Sequence, residues 1–310
     1  MIVFWIVLVL IAVIIAIGAY TFFAACGKRK DLPWLDAKQM QKTSYAKYTD
    51  LIAQSNQWLQ DHDAKDIYMT NREGLILHGL WVPAENPRGT ILLAHGYRSS
   101  MLVDFGMVLE FYHTMGMNLL LPEQRCHGKS QGKFITFGVK ESRDMEDWIA
   151  YHNQTFGACP VILSGLSMGA STILYLADKE LPGNVRGIIA DCGFTTPKEI
   201  LSKVFYETVH LPPQLFIWIT GVFSRCLARF SLDEEDTRTS LRHGKLPVFM
   251  IHGTGDDFVP CKMTQEAYDA CTSKKYLLLA ENAGHGVSFL YEKDRYIDLL
   301  QQFLSAHLEG

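Results

Sequence analysis

Residues 161–170 have the sequence VILSGLSMGA, and this stretch decides how the rest of the chain is interpreted. Its first three residues are apolar, as in a buried strand, and they lead into a G-x-S-x-G pattern centred on Ser167. Residues 170–178 then have the composition of a helix. A serine on a sharp turn between strand and helix projects its hydroxyl from the end of a sheet, and the flanking glycines let the two elements close together. Because the pattern alone is common, its surroundings must decide.

Apolar segments alternate with amphipathic ones along the rest of the chain. A β-hairpin is predicted at residues 67–69 and 75–82, followed by strands at 90–94, 118–122, 161–164, 187–191, 248–252 and 276–280. Helices are predicted between most of these strands, at residues 101–115, 140–153, 170–178 and 264–272, with a last one at 289–307. Strands without polar alternation, separated by helices, predict a mostly parallel eight-stranded sheet with helices on both faces.

Polar residues follow several of the predicted strands, and the carboxyl ends of parallel strands meet at one edge of a sheet. His95, the segment 252–260 (HGTGDDFVP) and His285 stand at such ends. A nucleophilic serine needs a base to take its proton and a carboxylate to orient that base. His285 is a candidate base, and Asp256 is a candidate acid beside the alternatives Asp257 and Asp191.

Together these pieces resemble the α/β-hydrolase superfamily, specifically membrane-anchored bacterial serine hydrolases of the esterase, lipase and serine-aminopeptidase-like group. The resemblance covers residues 65–308. It rests on the elbow, on the chain order of serine, acid and histidine, and on four further segments: HG at 95–96, RCHGKS at 125–130, HGTGDDFVP at 252–260 and GHG at 284–286. It implies the α/β-hydrolase fold with a helical lid.

The resemblance also implies roles for five residues. Ser167 is expected to be the nucleophile, Asp256 the orienting acid and His285 the general base. The backbone N–H groups of Tyr97 and Met168 are expected to form the oxyanion hole. No metal and no cofactor is expected, because the chain has no glycine-rich phosphate loop and its seven cysteines are scattered.

Two positions depart from the family pattern, since relatives often have Asp where Glu123 stands and Gly where Cys126 stands. Neither position belongs to the expected triad, so they bear on the subfamily rather than on the chemistry.

His95 and His252 are predicted to hydrogen-bond to the backbone of their loops. Other polar residues are predicted to fix a loop near the site: Arg125, His127 and Ser130. The acidic segment 233–236 is predicted to be a solvated turn.

Residues 2–26 contain no charged side chain. As a helix they rise about 37 Å, enough for a hydrocarbon core of about 30 Å, and they lack the basic start of a signal peptide. We therefore predict a retained, single-pass transmembrane anchor at residues 1–27. Lys28, Arg29 and Lys30 follow it, and the positive-inside rule predicts a cytoplasmic catalytic domain at the cell membrane.

Two more domain predictions complete the chain. Residues 28–64 are predicted to be a juxtamembrane linker with an amphipathic helix at 36–61, docked on the catalytic domain or near the membrane. Residues 65–310 are predicted to be the catalytic domain, with a lid at about 194–244. Seven apolar lid residues are candidates either for lining an acyl pocket or for packing the lid onto the core: Phe205, Leu211, Leu215, Phe216, Trp218, Ile219 and Phe223.

The expected activity is hydrolysis of a carboxylic ester, lipid-like or of medium chain length, through an acyl-enzyme on Ser167. A thioesterase or a serine peptidase would use the same triad, and a non-catalytic membrane-tethered binding protein is the alternative of another class. The expected partners are a small-molecule or lipid-like ester and the membrane. The formal net charge of -4 argues against nucleic acid as a partner.

Overall fold

The computed structural model describes residues 1–28 and 48–308. The strands are β1 Lys65–Thr70, β2 Ile76–Val82, β3 Gly89–Ala94, β4 Met117–Pro122, β5 Val161–Leu166, β6 Val185–Asp191, β7 Val248–Gly253 and β8 Lys275–Ala280. The helices are α1 Ile2–Cys26, α2 Thr49–Asp61, α3 Met101–Phe105, α4 Leu109–Thr114, α5 Val139–Thr155, α6 Met168–Leu174, α7 Pro197–Val209, α8 Gln214–Phe223, α9 Thr237–His243, α10 Cys261–Ala270, α11 Ser288–Tyr291 and α12 Lys293–Leu308. A π-helical turn, Ser224–Ala228, extends α8.

The eight strands form one sheet in the order β1-β2-β4-β3-β5-β6-β7-β8. Only β2 runs against its neighbours, and the pairs from β4 through β8 are all parallel. The mostly parallel sheet of the α/β-hydrolase fold is thus confirmed. Its central strand, β5, ends directly before Ser167, as the elbow pattern predicts.

Alternate residues of each central strand enter cores on opposite faces of the sheet. In β3, Ile91 and Leu93 belong to one core, while Leu92 and Ala94 belong to the other. The first core is covered by α2, α3, α4 and α12, and the second by α5, α6, α9 and α10. This burial on both faces explains why the strands are apolar throughout.

Two predicted helices are interrupted. The helix predicted at 101–115 divides into α3 and α4 around Gly106, where the carbonyl accepts a hydrogen bond from Ser55 of α2. Glycine has low helix propensity, and α2 packs against this point. The helix predicted at 289–307 likewise divides, because α11 ends before Lys293 begins α12.

Helix α2 docks on the hydrolase body rather than standing apart from it. Leu59 is buried in the first core with Trp58 against its edge. The part of the predicted amphipathic helix from residue 36 to residue 47 lies outside the described residues. The observed docking favours the first of the two positions considered for this helix.

Helix α1 has two unlike parts. Residues 2–17 are exposed along their whole length, whereas Gly18, Phe22 and Cys26 are buried. The buried part packs on α8, and Phe22 is stacked on Phe223 at 6.1 Å between ring centroids. The last third of the predicted anchor is therefore part of the folded body. Helix α1 is long and apolar enough to cross a membrane.

Candidate active site

Ser167 lies on a strained turn between β5 and α6. Its backbone has φ 57° and ψ -118°, a left-handed conformation that non-glycine residues rarely adopt. A Cβ at Gly165 would lie 2.4 Å from the Gly169 carbonyl oxygen, and one at Gly169 would lie 1.8 Å from the Ala94 carbonyl oxygen. Only glycine fits at either position, so the strand, the turn and α6 depend on this sequence pattern.

The structure brings the three predicted residues together from three different strand ends. His285 Nε2 lies 2.9 Å from Ser167 Oγ, and His285 Nδ1 lies 2.7 Å from Asp256 Oδ2. An ionised carboxylate can only accept, so Nδ1 carries the proton and Nε2 is left to accept from the serine hydroxyl. This is the protonation state in which an imidazole can receive a proton from Ser167.

Three N–H groups donate to the Asp256 carboxylate, and a fourth nitrogen lies close to it. Oδ1 accepts from the backbone N–H groups of Phe258 and Val259 at 2.8 and 2.9 Å. Oδ2 faces His285 and also His252 Nε2, 3.1 Å away. Burial by itself raises the pKa of this carboxyl, but the contacts with the two histidines and the hydrogen bond from Val259 outweigh burial and hold the pKa well below its usual range. The acid is therefore ionised at neutral pH.

The two alternative acids occupy other environments. Asp257 is exposed to solvent. Asp191, at the end of β6, accepts from Ser288 Oγ at 3.2 Å, and burial raises the pKa of its carboxyl to about 6. Geometry thus favours Asp256 as the partner of His285.

His252 contacts the catalytic acid candidate, and the sequence did not predict this contact. Its Nε2 donates to the Val259 carbonyl at 2.9 Å, as the prediction of a backbone hydrogen bond requires. The same nitrogen also approaches Asp256 Oδ2, and Nδ1 lies 2.7 Å from Thr264 Oγ1. The spacing of four residues between His252 and Asp256 is the only signal in the sequence that could have suggested this contact.

The loop after β3 is fixed by buried polar contacts. Gly96 N–H donates to Asp104 Oδ2 at 2.6 Å, and Arg98 N–H donates to His127 Nε2 at 3.0 Å. Burial lowers the pKa of His127 to about 4, so its neutral ring can accept this bond. Tyr97 stands between the two anchored residues and lines the same cavity as Ser167.

Met168, the other expected oxyanion donor, is the first residue of α6. The backbone N–H groups in the first turn of a helix have no carbonyl partner within that helix. Its position next to Ser167 agrees with the expected role.

The remaining polar residues singled out in the sequence support the loops around the site. Arg125 forms two hydrogen bonds of 2.7 Å with buried Asp144. Ser130 Oγ donates to the Glu123 carbonyl at 2.6 Å. Cys126, where relatives often have Gly, has φ 69°, a conformation that favours glycine.

A buried thiol lies beside the histidine. Cys192 Sγ is 4.0 Å from His285 Nε2, and ligand atoms of Cys192, Asp256 and His285 lie within 4.8 Å of one another. Burial raises the pKa of the Cys192 thiol well above its usual range, so the sulfur stays protonated and is a poor metal ligand or nucleophile. The two other residues are already hydrogen-bonded to each other.

A cavity of about 410 Å³ opens onto Ser167. Most of its wall comes from α1, α7, α8 and the loop after β3, and three phenylalanines from other loops complete it: Phe137, Phe194 and Phe258. Its apolar or weakly polar lining includes residues from each helix: Tyr20, Thr21, Ala24, Ala25, Val204, Phe205, Thr208, Val209, Ile217 and Thr220. Arg98 is the only charged residue among the described residues that line it.

Of the two roles considered for the seven apolar lid residues, lining the cavity holds for a small minority. Of the seven candidates only Phe205 lines it, and α8 instead contributes Ile217 and Thr220. Ile219 and Phe223 pack against α1. The exposed candidates are Leu211, Leu215 and Trp218. Because α8 is apolar on nearly every side, the sequence does not show which side faces the cavity.

Hydrogen bonds join the end of α1 to the loop after β3. Tyr97 Oη donates to the Ala25 carbonyl at 2.7 Å, and Arg98 Nη2 donates to the Ala24 carbonyl at 2.6 Å. A guanidinium at the C-terminal end of a helix also interacts favourably with the helix dipole. The predicted anchor and the predicted oxyanion loop are thus directly connected.

Comparisons with known proteins agree with this architecture. The chain is 27% identical to the uncharacterized protein YqkD of Bacillus subtilis (strain 168) over 232 residues, which are 74% of this chain and 76% of YqkD. An esterase from Pyrococcus furiosus has a similar structure, with a TM-score of 0.65 at 23% identity over 80% of this chain and 92% of the esterase. An esterase from Exiguobacterium antarcticum matches with a TM-score of 0.57 at 17% identity, over 78% of this chain and all of the esterase (100%).

A family-level match covers half of the chain. The sequence profile of the family described as serine aminopeptidase, S33 (Hydrolase_4), matches residues 85–243, which include the elbow and much of the lid. The structural neighbours share the sheet and its helices. The chain is therefore an α/β hydrolase and belongs to the serine aminopeptidase S33 family.

Proposed function

We propose that this hydrolase cleaves carboxylic esters of apolar acids through an acyl-enzyme on Ser167. The observation that carries the proposal is the unbroken chain of hydrogen bonds from Ser167 Oγ through His285 to Asp256, with distances of 2.9 and 2.7 Å. A non-catalytic binding protein has no need to keep three such groups in contact. An intact, correctly protonated triad at the end of a cavity favours catalysis.

The proposed reaction has two halves. Ser167 Oγ attacks the ester carbonyl carbon while His285 Nε2 takes the hydroxyl proton, and the Tyr97 and Met168 N–H groups stabilise the oxyanion. The imidazolium then gives its proton to the leaving alcohol, and the acyl group stays on Ser167. Water, deprotonated by the same histidine, then attacks the acyl carbon. The bond between this carbon and Ser167 Oγ breaks, the imidazolium returns its proton to Oγ, and the carboxylic acid is released.

The cavity favours an acyl chain over a peptide. An aminopeptidase must bind the positively charged N-terminus of its substrate, for which an acidic side chain is the natural partner. None of the described residues that line the cavity is acidic, and the one charged group is the cation Arg98. The apolar walls contributed by α1, α7 and α8 instead suit a hydrocarbon chain.

We further propose that α1 anchors the protein in the cell membrane, with Lys28 and the two basic residues after it on the cytoplasmic side. The division into an anchor at 1–27, a linker at 28–64 and a catalytic domain at 65–310 stays a prediction. Protease accessibility of the C-terminal domain in spheroplasts tests the orientation, because digestion from outside contradicts a cytoplasmic domain.

Steady-state hydrolysis by the full chain in detergent tests the proposed activity. The substrates are p-nitrophenyl esters of two to sixteen carbons, an acyl thioester and an aminoacyl p-nitroanilide. We expect the highest kcat/KM for a medium-chain ester and at least about a 10⁴-fold fall in kcat for Ser167→Ala. Ser164→Ala, at a buried serine in β5 three residues before Ser167, is the matched control and should keep its activity. Preference for the anilide would refute the acyl-ester assignment.

A further inference from the structure

The lid carries an exposed apolar stripe that its core packing does not require. Leu215, Trp218 and Val222 follow one another at spacings of three and four residues, so they share one face of α8, and Leu211 lies in the segment just before this helix. In this order, their exposed fractions are 50%, 65%, 37% and 48%. These four residues are called the lid stripe below.

Helix α8, which carries most of the lid stripe, packs against the part of α1 that begins at Gly18. Gly18 packs so closely on Ile219 that a Cβ there would lie 1.9 Å from the isoleucine side chain. Further along both helices, Thr21 Oγ1 is 2.9 Å from Thr220 Oγ1, and Phe22 stacks on Phe223. The contacts advance in the same direction on the two helices, so the N-terminal end of α8 points toward the N-terminal end of α1.

The length of α1 fixes how deep this contact lies if α1 crosses a bilayer. Its exposed residues, 2–17, rise about 24 Å at 1.5 Å per residue. A hydrocarbon core is about 30 Å thick, so roughly four more residues, 18–21, must also lie in it. Those residues are the ones that contact Ile219 and Thr220 of α8. If α1 spans the membrane, the N-terminal part of α8 therefore lies in the bilayer.

Charge changes along α8 in the way that an interfacial segment requires. The lid stripe contains no charged residue, and the exposed residues that follow it include Arg225 and Arg229. Lys28 follows the end of α1 and is also exposed. All three cations stand toward the C-terminal ends of helices that run in the same direction, where phosphate headgroups would surround them.

The cavity reaches the surface beside α1 and α7. Tyr20 of α1 and Val209 of α7 both line the cavity and are themselves exposed, by 75% and 43%. Tyr20 belongs to the four residues that the length of α1 places at the membrane boundary. An opening bounded by these two residues faces lipid if α1 spans the membrane.

We propose that the lid is inserted in the same bilayer as α1, and that the cavity takes its ester from that bilayer through the opening between α1 and α7. The lid stripe lies among the acyl chains, with Arg225 and Arg229 at the headgroups. The substrate class is then an ester dissolved in the membrane, with an apolar acyl chain. This inference rests on the proposed esterase function for the substrate and on the proposed anchor for the position of the lid.

Quenching of tryptophan fluorescence tests the insertion without relying on catalysis. The full chain is reconstituted in phosphatidylcholine/phosphatidylglycerol vesicles whose acyl chains are either brominated or unbrominated. The difference between wild type and Trp218→Phe isolates the emission of Trp218, and Trp5→Phe does so for Trp5 in the exposed part of α1. We expect bromine to reduce both components by at least about half. If bromine leaves the emission of Trp218 unchanged, the lid is not inserted in the bilayer. If it leaves the emission of Trp5 unchanged, α1 is not in the bilayer either.

Two esters test the route of entry. We expect Leu215→Asp combined with Trp218→Asp to lose at least about tenfold in rate on a long-chain ester held in vesicles. Its rate on water-soluble p-nitrophenyl acetate should stay within about twofold. Tyr291→Asp, at another exposed aromatic residue, is the control and should change neither rate. Equal losses on both esters overturn entry from the bilayer, whereas absence of turnover by wild type overturns the proposed esterase and leaves the quenching result standing.

Discussion

Replacing Asp256 by Asn exchanges one carboxylate oxygen for an NH₂ group and should nearly abolish catalysis, for a reason that the hydrogen bonds define. The backbone N–H groups of Phe258 and Val259 both donate to Oδ1, so the oxygen of the new side-chain amide must take that place. The amide NH₂ group then faces His285 Nδ1 and donates to it. Nδ1 must lose its proton and Nε2 must carry one, so the ring can no longer accept the proton of Ser167.

The same exchange of tautomers in a serine protease triad costs about 10⁴-fold in kcat, which corresponds to about 5.5 kcal/mol of transition-state stabilisation. We expect a loss of that order for Asp256→Asn in the hydrolysis of p-nitrophenyl butyrate, with the melting temperature showing that the protein remains folded. Asp257→Asn changes the neighbouring exposed acid and should stay within about twofold of wild type. A tenfold or smaller loss for Asp256→Asn, or a large loss for Asp257→Asn, would refute this assignment of the acid.

Three further predictions concern the elbow, a buried acid and the cavity wall. Gly169→Ala places a Cβ 1.8 Å from a backbone oxygen and should cost at least about 3 kcal/mol in denaturant unfolding, while Gly183→Ala, with open space around it, should cost little. Burial raises the pKa of Asp191 to about 6, above the value of about 3.9 in an unfolded chain, so the folded protein holds this proton more tightly. The free energy of unfolding is therefore highest below pH 4, and this part of it is lost as pH rises through 6. Asp191→Asn should therefore gain roughly 3 kcal/mol relative to wild type between pH 4 and pH 7 in thermal or denaturant melts, and a constant difference would contradict this. Ala24→Phe should shift the preferred ester toward shorter acyl chains in a chain-length series, whereas Val13→Phe on the exposed part of α1 should not; equal profiles would contradict a role of α1 as a cavity wall.

The sheet and the meeting of three polar residues could be predicted from the sequence because both depend on local patterns. Apolar runs of strand length, separated by amphipathic helices, leave few alternatives to a parallel sheet. Ser167, Asp256 and His285 each follow such a run, and parallel strands place their carboxyl ends at one edge. Burial of the strands on both faces then turns this edge into the place where polar groups gather.

The sides of α8 and α1 that face the cavity could not be predicted. Hydrophobic periodicity identifies a buried face only when the opposite face is polar. Helix α8 is apolar nearly all round, and residues 2–26 are apolar throughout, so neither pattern shows that Gly18 meets Ile219 or that Ala24 lines a cavity. The contact between α1 and the lid depends on tertiary packing alone.

The contacts that hold the loop after β3 could be predicted only in part: His127 was expected to fix a loop near the site, but its partner was not. Asp104 holds the Gly96 N–H, and His127 holds the Arg98 N–H, from segments eight and 29 residues away. An acidic residue within the otherwise apolar segment 101–109 was the available signal for the first contact. Nothing local distinguishes His127 as a neutral acceptor, since its lowered pKa comes from burial.

Covalent labelling with a fluorophosphonate is the most direct test that Ser167 is a nucleophile activated by His285. We expect wild type to gain one phosphonyl group, located by peptide mass spectrometry on Ser167. Ser167→Ala should not label, and His285→Ala should label far more slowly. Failure of the wild type to label, or equal labelling of Ser167→Ala, would contradict the nucleophilic role of this serine.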